Sequence, residues 1–195
     1  YGQVNGGYLI EDIYRKETNM ELNLGYKKNL GEKWSLDAFV AGNRMYSYGK
    51  NLNNEAAQLT IPEVYSISNG VAGDVTYNSS WSEKAIYSVY GMASFGFNDM
   101  VFLDLTARND WSSTLPVDNR SYFYPSASLS VLVSEILTMP EWITFAKLRG
   151  GIAQVGNDTN PYSLNQYFTI GTDWGAVKRI YMGGTLRNPN LVPEE

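Results

Sequence analysis

The residues of this sequence that could do chemistry are its carboxylates and its many serines. The 195-residue chain contains no His to activate a serine as a nucleophile, and it has no Gly-x-Ser-x-Gly motif. Asp104 could pair with Glu21 or Asp37, as the two carboxylates of a glycosidase do. Period-2 spacing instead places these carboxylates on the wet side of strands that also carry Arg108 and Arg149. A solvated, charge-mixed wall is the better interpretation, and we expect no catalytic residue.

Metal and cofactor sites are not expected either. The sequence lacks both Cys and His, so thiolate and imidazole ligands are absent. Residues 157–160 (NDTN) offer oxygen ligands, but no Glu stands at the spacing of a calcium loop. Residues 150–156 (GGIAQVG) are glycine-rich but lack the Gly-Lys-Ser/Thr of a phosphate-binding loop. We therefore predict no metal ion and no cofactor.

Aromatic residues in predicted loops are the strongest candidates for binding. A sugar ring can stack on a tryptophan while its hydroxyl groups bond to neighbouring Asp, Asn or Arg side chains. Each tryptophan could instead pack its own loop or contact a partner protein. The candidate substrate-binding residues are Trp81, Asp110, Trp111 and Trp174.

The elements that must position these residues are strands with two different faces. In the stretch 87–133, alternate residues are apolar, and those between them are small, polar or charged. On the strand near residue 104, one face carries Leu103 and Leu105, and the other carries Asp104 and Thr106. Strands of about 9–11 residues with this pattern, short turns at one end and long loops at the other are typical of transmembrane β-barrels.

The predicted fold class is all-β, a section of a large antiparallel up-and-down transmembrane β-barrel with long extracellular loops. Six strands are too few to surround a wide lumen, so we expect the chain to be part of a longer protein, with residues 1–195 in one barrel domain. Residues 44–84 and 156–193 are predicted long loops, and residues 1–16 the end of another. The predicted strands span roughly residues 18–27, 33–43, 85–97, 100–108, 122–133 and 145–155.

Aromatic residues also collect near the predicted strand ends, as expected where a barrel crosses the two membrane interfaces. Near the long loops we assign Tyr46, Tyr48, Tyr87, Tyr122, Phe123 and Tyr124 to one such girdle. The other girdle, near the short turns, contains Tyr26, Trp34, Phe95, Phe97, Trp142 and Phe145.

Two other classes of protein remain open on pattern alone. One is a soluble β-sandwich that binds glycans, with the aromatic residues capping its core; it would need a second sheet. The other is an outer-membrane barrel enzyme or adhesin, which the absence of His weakens. A nucleic-acid partner is not expected, because the net charge is −5 and the 15 basic residues are not clustered.

Four segments, in order, carry a family resemblance. They are 105–116 (LTARNDWSSTLP), 122–130 (YFYPSASLS), 148–157 (LRGGIAQVGN) and 188–191 (NPNL). Together they resemble signatures of the SusC/RagA-type TonB-dependent outer-membrane transporters, over most of residues 17–195. In many members a Gly stands at the position of Trp111.

The resemblance implies a barrel of about 22 strands with an N-terminal plug, which would be absent from this chain. It also implies import driven by TonB through that missing N-terminal part, with a SusD-like surface lipoprotein as a lid over the long loops. The substrate would be a glycan or an oligopeptide, and the protein would lie in lipid of the bacterial outer membrane. A fragment without the plug should not transport by itself.

Overall fold

The computed structural model describes residues 5–194, which fall in two compact units. The first contains the chain up to Thr18 together with Tyr46–Lys84. The second contains Asn19–Met45 and the chain from Ala85 onward.

Over the described residues, six strands form one sheet whose spatial order is the order of the chain. This up-and-down order confirms the predicted fold class, and the sheet does not close into a barrel within the chain. A second sheet pairs two three-residue strands, β7 and β8. The strands are β1 Tyr8–Leu30, β2 Trp34–Ala56, β3 Val75–Phe97, β4 Val101–Ser112, β5 Ser121–Leu132, β6 Lys147–Ala153, β7 Phe168–Ile170 and β8 Ile180–Met182.

Helical structure is confined to short pieces in the described part of the chain. A 3₁₀ turn spans Ile67–Asn69, and one turn of α-helix, α1, spans Val133–Ile136. No helix among residues 5–194 is long and apolar enough to cross a membrane.

The prediction of one structureless loop over residues 44–84 is wrong. β2 continues to Ala56 and β3 begins at Val75, so both strands have 23 residues. The prediction that residues 1–16 form a loop is also wrong for its described part, since β1 begins at Tyr8. Where neither face of a strand meets an apolar environment, alternate residues need not differ in polarity. The sequence pattern then gives no sign of the strand.

The turns that join these strands use residues suited to left-handed backbone. Asn98 and Asp99, between β3 and β4, have φ angles of 50° and 57°. Asn and Asp tolerate this conformation, and two consecutive residues with positive φ match the twist of a tight hairpin. Gly31, between β1 and β2, has a φ of 78°.

The strand register gives the sheet two continuous faces. Leu103 of β4 lies opposite Phe95 of β3 and Leu129 of β5, while Asp104 lies opposite Ser94 and Ser128. Cross-strand partners point to the same side, so the alternation seen in one strand repeats across its neighbours. One face, here called the apolar face, carries Leu103 and its cross-strand partners; the other, here called the polar face, carries Asp104 and its partners.

Large aliphatic side chains of the apolar face are exposed. In the second unit, Leu22 is 81%, Leu24 74%, Leu148 67% and Ile152 78% exposed. A soluble β-sandwich would bury this face against another sheet, and the three-residue strands β7 and β8 are too small to provide one. The fold therefore does not support the β-sandwich alternative.

Close pairing of β2 with β3 depends on a glycine. A Cβ added to Gly91 would lie 2.8 Å from the carbonyl oxygen of Phe39, whereas nothing lies within 4 Å of one added to Gly150. We expect Gly91→Ala to destabilise the intact protein by about 1–3 kcal/mol, because the neighbouring backbone must shift. Urea unfolding measures this loss. Gly150→Ala, on the same face, is the control, and equal midpoints for the two variants would contradict the close approach.

Candidate functional site

An arginine and an aspartate organise the polar face of the second unit. The Nε of Arg108 donates a hydrogen bond to the Oδ1 of Asp110 over 2.8 Å, and its second guanidinium nitrogen donates to the Oγ of Ser88 over 3.1 Å. The hydroxyl of Tyr124 donates to the other oxygen of Asp110. We call Ser88, Tyr90, Arg108, Asp110 and Tyr124 the Arg108–Asp110 cluster.

Strand register explains why this cluster forms. Arg108 and Asp110 are two residues apart on β4 and therefore share a face. Arg108 lies opposite Tyr90 of β3 and Tyr124 of β5. Its guanidinium carbon is 5.2 Å from the centroid of the Tyr90 ring and 6.0 Å from that of Tyr124. The cation is thus placed between two aromatic rings, where attraction to the π-systems adds to the ion pair.

The carboxylate of the cluster is removed from solvent. Asp110 is 4% exposed and Ser88 is 3% exposed, while the Arg108 side chain keeps 41% of its surface. A buried carboxylate is stable only when it is paired and hydrogen-bonded, and Asp110 has both kinds of partner. The arrangement fixes the guanidinium cation of Arg108 on the polar face of the sheet, and the cluster contains no nucleophile–base pair.

Towards the short turns the polar face becomes a surface of hydroxyl groups. Asp104 accepts hydrogen bonds from the Oγ of Ser94 at 2.5 Å and from that of Ser128 at 3.3 Å. Thr106 and Ser126 share a hydrogen bond of 2.5 Å. Side chains of this kind suit a wall in contact with water.

The structure separates two of the predicted binding residues. Asp110 and Trp111 are consecutive in β4, so they point to opposite faces. Asp110 belongs to the polar face, whereas Trp111 lies opposite Tyr87 and Ser121 on the apolar face. The prediction that Asp110 and Trp111 lie in a loop is wrong, because β4 continues to Ser112 and the backbone is extended through them.

The other two predicted residues lie in different surroundings. Trp81 is a residue of β3 in the first unit, not of a loop; it is 64% exposed and lines a shallow groove with Tyr14 and Lys50. Trp174, in the second unit, is outside the named strands and 79% exposed. It begins a tight turn in which its backbone pairs with that of Val177. Substrate binding by the four residues stays a prediction.

Two tyrosines assigned to an interface girdle lie elsewhere. Tyr122 and Tyr124 stack on each other, with centroids 5.9 Å apart and planes at 21°, and Tyr124 bonds Asp110 on the polar face. Phe123, between them, points the other way and is 56% exposed. Three consecutive residues of a strand cannot share one face, so among them only Phe123 is still compatible with the girdle, which stays a prediction.

Sequence reasoning treated Arg108 as part of a general charged wall and missed its specific partners. The available signal was the spacing of Arg108 and Asp110 on one face, since an i, i+2 ion pair fits an extended strand. The cross-strand partners require the register, which depends on the lengths of the loops. Among residues 5–194, no three acidic side chains come together closely enough to hold a metal ion.

The two-faced sheet and its strand order correspond to a known family. Residues 2–195 match the family described as TonB dependent receptor-like, beta-barrel, and the chain belongs to this family. The resemblance to TonB-dependent transporter barrels inferred from the four segments is thereby confirmed. Among curated protein sequences, none matches the chain.

Solved structures with the same fold agree with this assignment. The chain is similar to a chain of the RagAB peptide transporter, with a TM-score of 0.81 and 18% sequence identity over 95% of this chain. It is also similar to the RagAB peptide importer in its 'closed-closed' state (TM-score 0.80, 18% identity, 95% of this chain) and its 'open-open' state (0.72, 20%, 94%). In each case it spans 21% of the other chain's length.

Proposed function

We propose that this chain is a section of the wall of a TonB-dependent outer-membrane importer. The observation that carries the proposal is the two-faced sheet, with exposed leucines on one side and hydrogen-bonded polar groups on the other. An aliphatic face without a protein layer suits contact with lipid, and a hydroxyl-rich face suits a water-filled lumen. β1 and β6 end the six-strand sheet, so further strands of a longer chain would pair with their outer edges.

The lengths of the strands fit a barrel that extends beyond the bilayer. β1, β2 and β3 have 23 residues each, about twice the 9–11 residues that a membrane-spanning strand requires. Part of each strand would therefore stand outside the hydrocarbon layer. The long connections near these ends would form the extracellular surface on which a SusD-like lipoprotein could sit as a lid.

The proposed cargo is an oligopeptide or a glycan. Similarity to the RagAB peptide importer supports a peptide, and exposed tryptophans suit the stacking of sugar rings. Energy would come from TonB, acting on a plug segment outside this chain. We assign no catalytic step, in keeping with a receptor family.

Uptake by cells that produce the full-length protein tests this proposal. We expect a fluorescent oligopeptide or oligosaccharide to accumulate in these cells, and we expect accumulation to stop in cells that lack TonB or are treated with a protonophore. The protein should be found in the outer-membrane fraction. Uptake that persists without TonB and without a proton gradient would contradict the proposal.

Trp174 is the tryptophan whose proposed contact with cargo or lid is easiest to test. Its ring is exposed, and its loop is held by an ion pair between Lys178 and Asp173 at 3.1 Å. We expect Trp174→Ala to raise the half-saturating cargo concentration about tenfold, the scale of losing one aromatic anchor. Trp142→Ala is the control, because Trp142 is equally exposed at 81% but lies in the connection between β5 and β6. Identical uptake by both variants would remove Trp174 from the proposed site.

A further inference from the structure

The long segment after β6 is closed at its base. The backbone N–H of Asn157 donates to the carbonyl of Glu194 over 3.0 Å, and the N–H of Glu194 donates back to Asn157 over 3.0 Å. The first and last residues of the segment 157–194 are therefore paired, although most of the chain between them has no regular structure. Such a segment is a closed loop that starts and ends at one place on the protein.

A partly buried carboxylate joins this base to the loop between β4 and β5. Asp158 accepts hydrogen bonds from the hydroxyl of Ser112 and, over 3.2 Å, from that of Thr114. The two hydroxyl groups are also 2.9 Å from each other. Ser112 is 1% exposed and Thr114 4% exposed, so their buried hydroxyl groups find their hydrogen-bond partners in each other and in Asp158.

A second contact lies at the other end of the closed loop. The side-chain amide of Asn119, in the loop between β4 and β5, donates to the carbonyl of Leu191 over 3.2 Å. Leu115 of the same connection is 4% exposed. The sequence segments 105–116, 148–157 and 188–191, which are far apart in the chain, thus converge on one region.

We infer that Asp158 is a positioning residue that clasps the closed loop 157–194 to the loop between β4 and β5. The clasp fixes the base of the segment that carries Trp174, while the residues between the two ends remain largely exposed. This inference goes beyond the proposed import activity, because the clasp holds the loop whatever the barrel transports. It gives three of the segments recognised in the sequence a shared mechanical role.

Limited proteolysis of the full-length protein tests the clasp. Trypsin can cut the closed loop after Lys178, Arg179 and Arg187, and mass spectrometry identifies these cuts. We expect Asp158→Ala to raise the initial rate of cleavage there about tenfold, because the base then opens more often. Asp158→Asn should stay near the wild-type rate, since the amide oxygen can still accept from both hydroxyl groups.

Two comparisons separate the clasp from a general loss of structure. Asp118→Ala removes an exposed carboxylate from the same β4–β5 loop and should leave the cleavage rate unchanged. Adding Ser112→Ala and Thr114→Ala to Asp158→Ala should not raise the rate further, since all three changes break the same contact. Cleavage of D158A at the wild-type rate would overturn the inference. So would a combined variant that is cleaved faster than D158A alone.

If D158A does not fold, a variant at the contact between Asn119 and Leu191 can be tested instead. Asn119→Ala removes one hydrogen bond and leaves the contacts of Asp158 with Ser112 and Thr114 in place, so the circular dichroism of the sheet should be preserved. We expect the closed loop of this variant to be cut about threefold faster than in the wild type, and cleavage at the wild-type rate would count against the clasp. The proteolysis experiment does not depend on uptake. Its result would therefore stand even if the import proposal failed.

Discussion

Replacement of Leu103 by Arg is expected to destabilise the full-length barrel in a bilayer by about 2–4 kcal/mol, the cost of a cation on the lipid face at mid-membrane. Leu103 lies on the apolar face, with Phe95 and Leu129 as its cross-strand partners. Urea unfolding in lipid vesicles measures the change, and reduced insertion into the outer membrane should accompany it.

Thr106→Arg is the matched control for Leu103→Arg. Thr106 lies three residues further along β4 on the polar face, where its hydroxyl bonds that of Ser126. An arginine there meets water and neighbouring hydroxyl groups, so we expect a change below about 1 kcal/mol. If both variants lost the same stability, or if Thr106→Arg lost more, the assignment of the two faces would be wrong.

Asp110→Ala is expected to cost the full-length protein about 2–3 kcal/mol. The change leaves the guanidinium of Arg108 and the hydroxyl of Tyr124 without their shared, buried acceptor. Asp110→Asn should lose roughly half as much, because its amide oxygen still accepts one hydrogen bond. Chemical unfolding in vesicles again provides the measurement.

The control for the Arg108–Asp110 cluster is Asp104→Ala on the same strand and face. Asp104 is bonded by two serine hydroxyl groups, which can turn towards water or other acceptors once the carboxylate is gone. We expect its loss to cost less than about 1 kcal/mol. Equal effects at positions 104 and 110 would show that the cluster contributes nothing special.

The sequence could predict the two-faced strands because a difference in polarity between two faces is written locally, in alternate residues. Around Leu103 and Asp104 one face must be apolar and the other polar, so alternate residues differ and the strand can be read directly. The turn at Asn98 and Asp99 was also predictable, because its residues tolerate the φ angles it needs. Alternation along the strand and the choice of turn residues were sufficient wherever each face of the strand kept one polarity along its length.

The extended parts of β2 and β3 could not be predicted in the same way. From Tyr46 onward β2 carries Ser, Asn, Gly and Tyr without a contrast between faces, so its hydrogen-bonded backbone leaves no period in the sequence. The Arg108–Asp110 cluster was hidden for a different reason. Its tyrosines come from β3 and β5, and only the register across three strands brings them beside Arg108.

The contacts of Asp158 depend on still longer connections. Ser112 and Asp158 are separated by 46 positions in the chain, and no local pattern pairs them. The sequence predicted no metal ion at residues 157–160, and it gave no other partner for Asp158, whose carboxylate accepts hydrogen bonds from two hydroxyl groups in the structure. A partner this distant in the chain can be identified only in the folded structure.

Site-directed spin labelling along β4 tests the central claim most directly. Residues 1–195 contain no Cys, and any Cys elsewhere in the full-length protein would first be replaced by Ser. Single-Cys variants at positions 102 to 107 of the full-length protein in vesicles would be labelled with a nitroxide. Their collision rates with oxygen, which concentrates in lipid, and with a water-soluble nickel chelate would then be compared. We predict strict alternation, with oxygen favoured at positions 103, 105 and 107 and the chelate at 102, 104 and 106. Equal accessibility at successive positions, or alternation in the opposite phase, would contradict a wall with lipid on one side and water on the other.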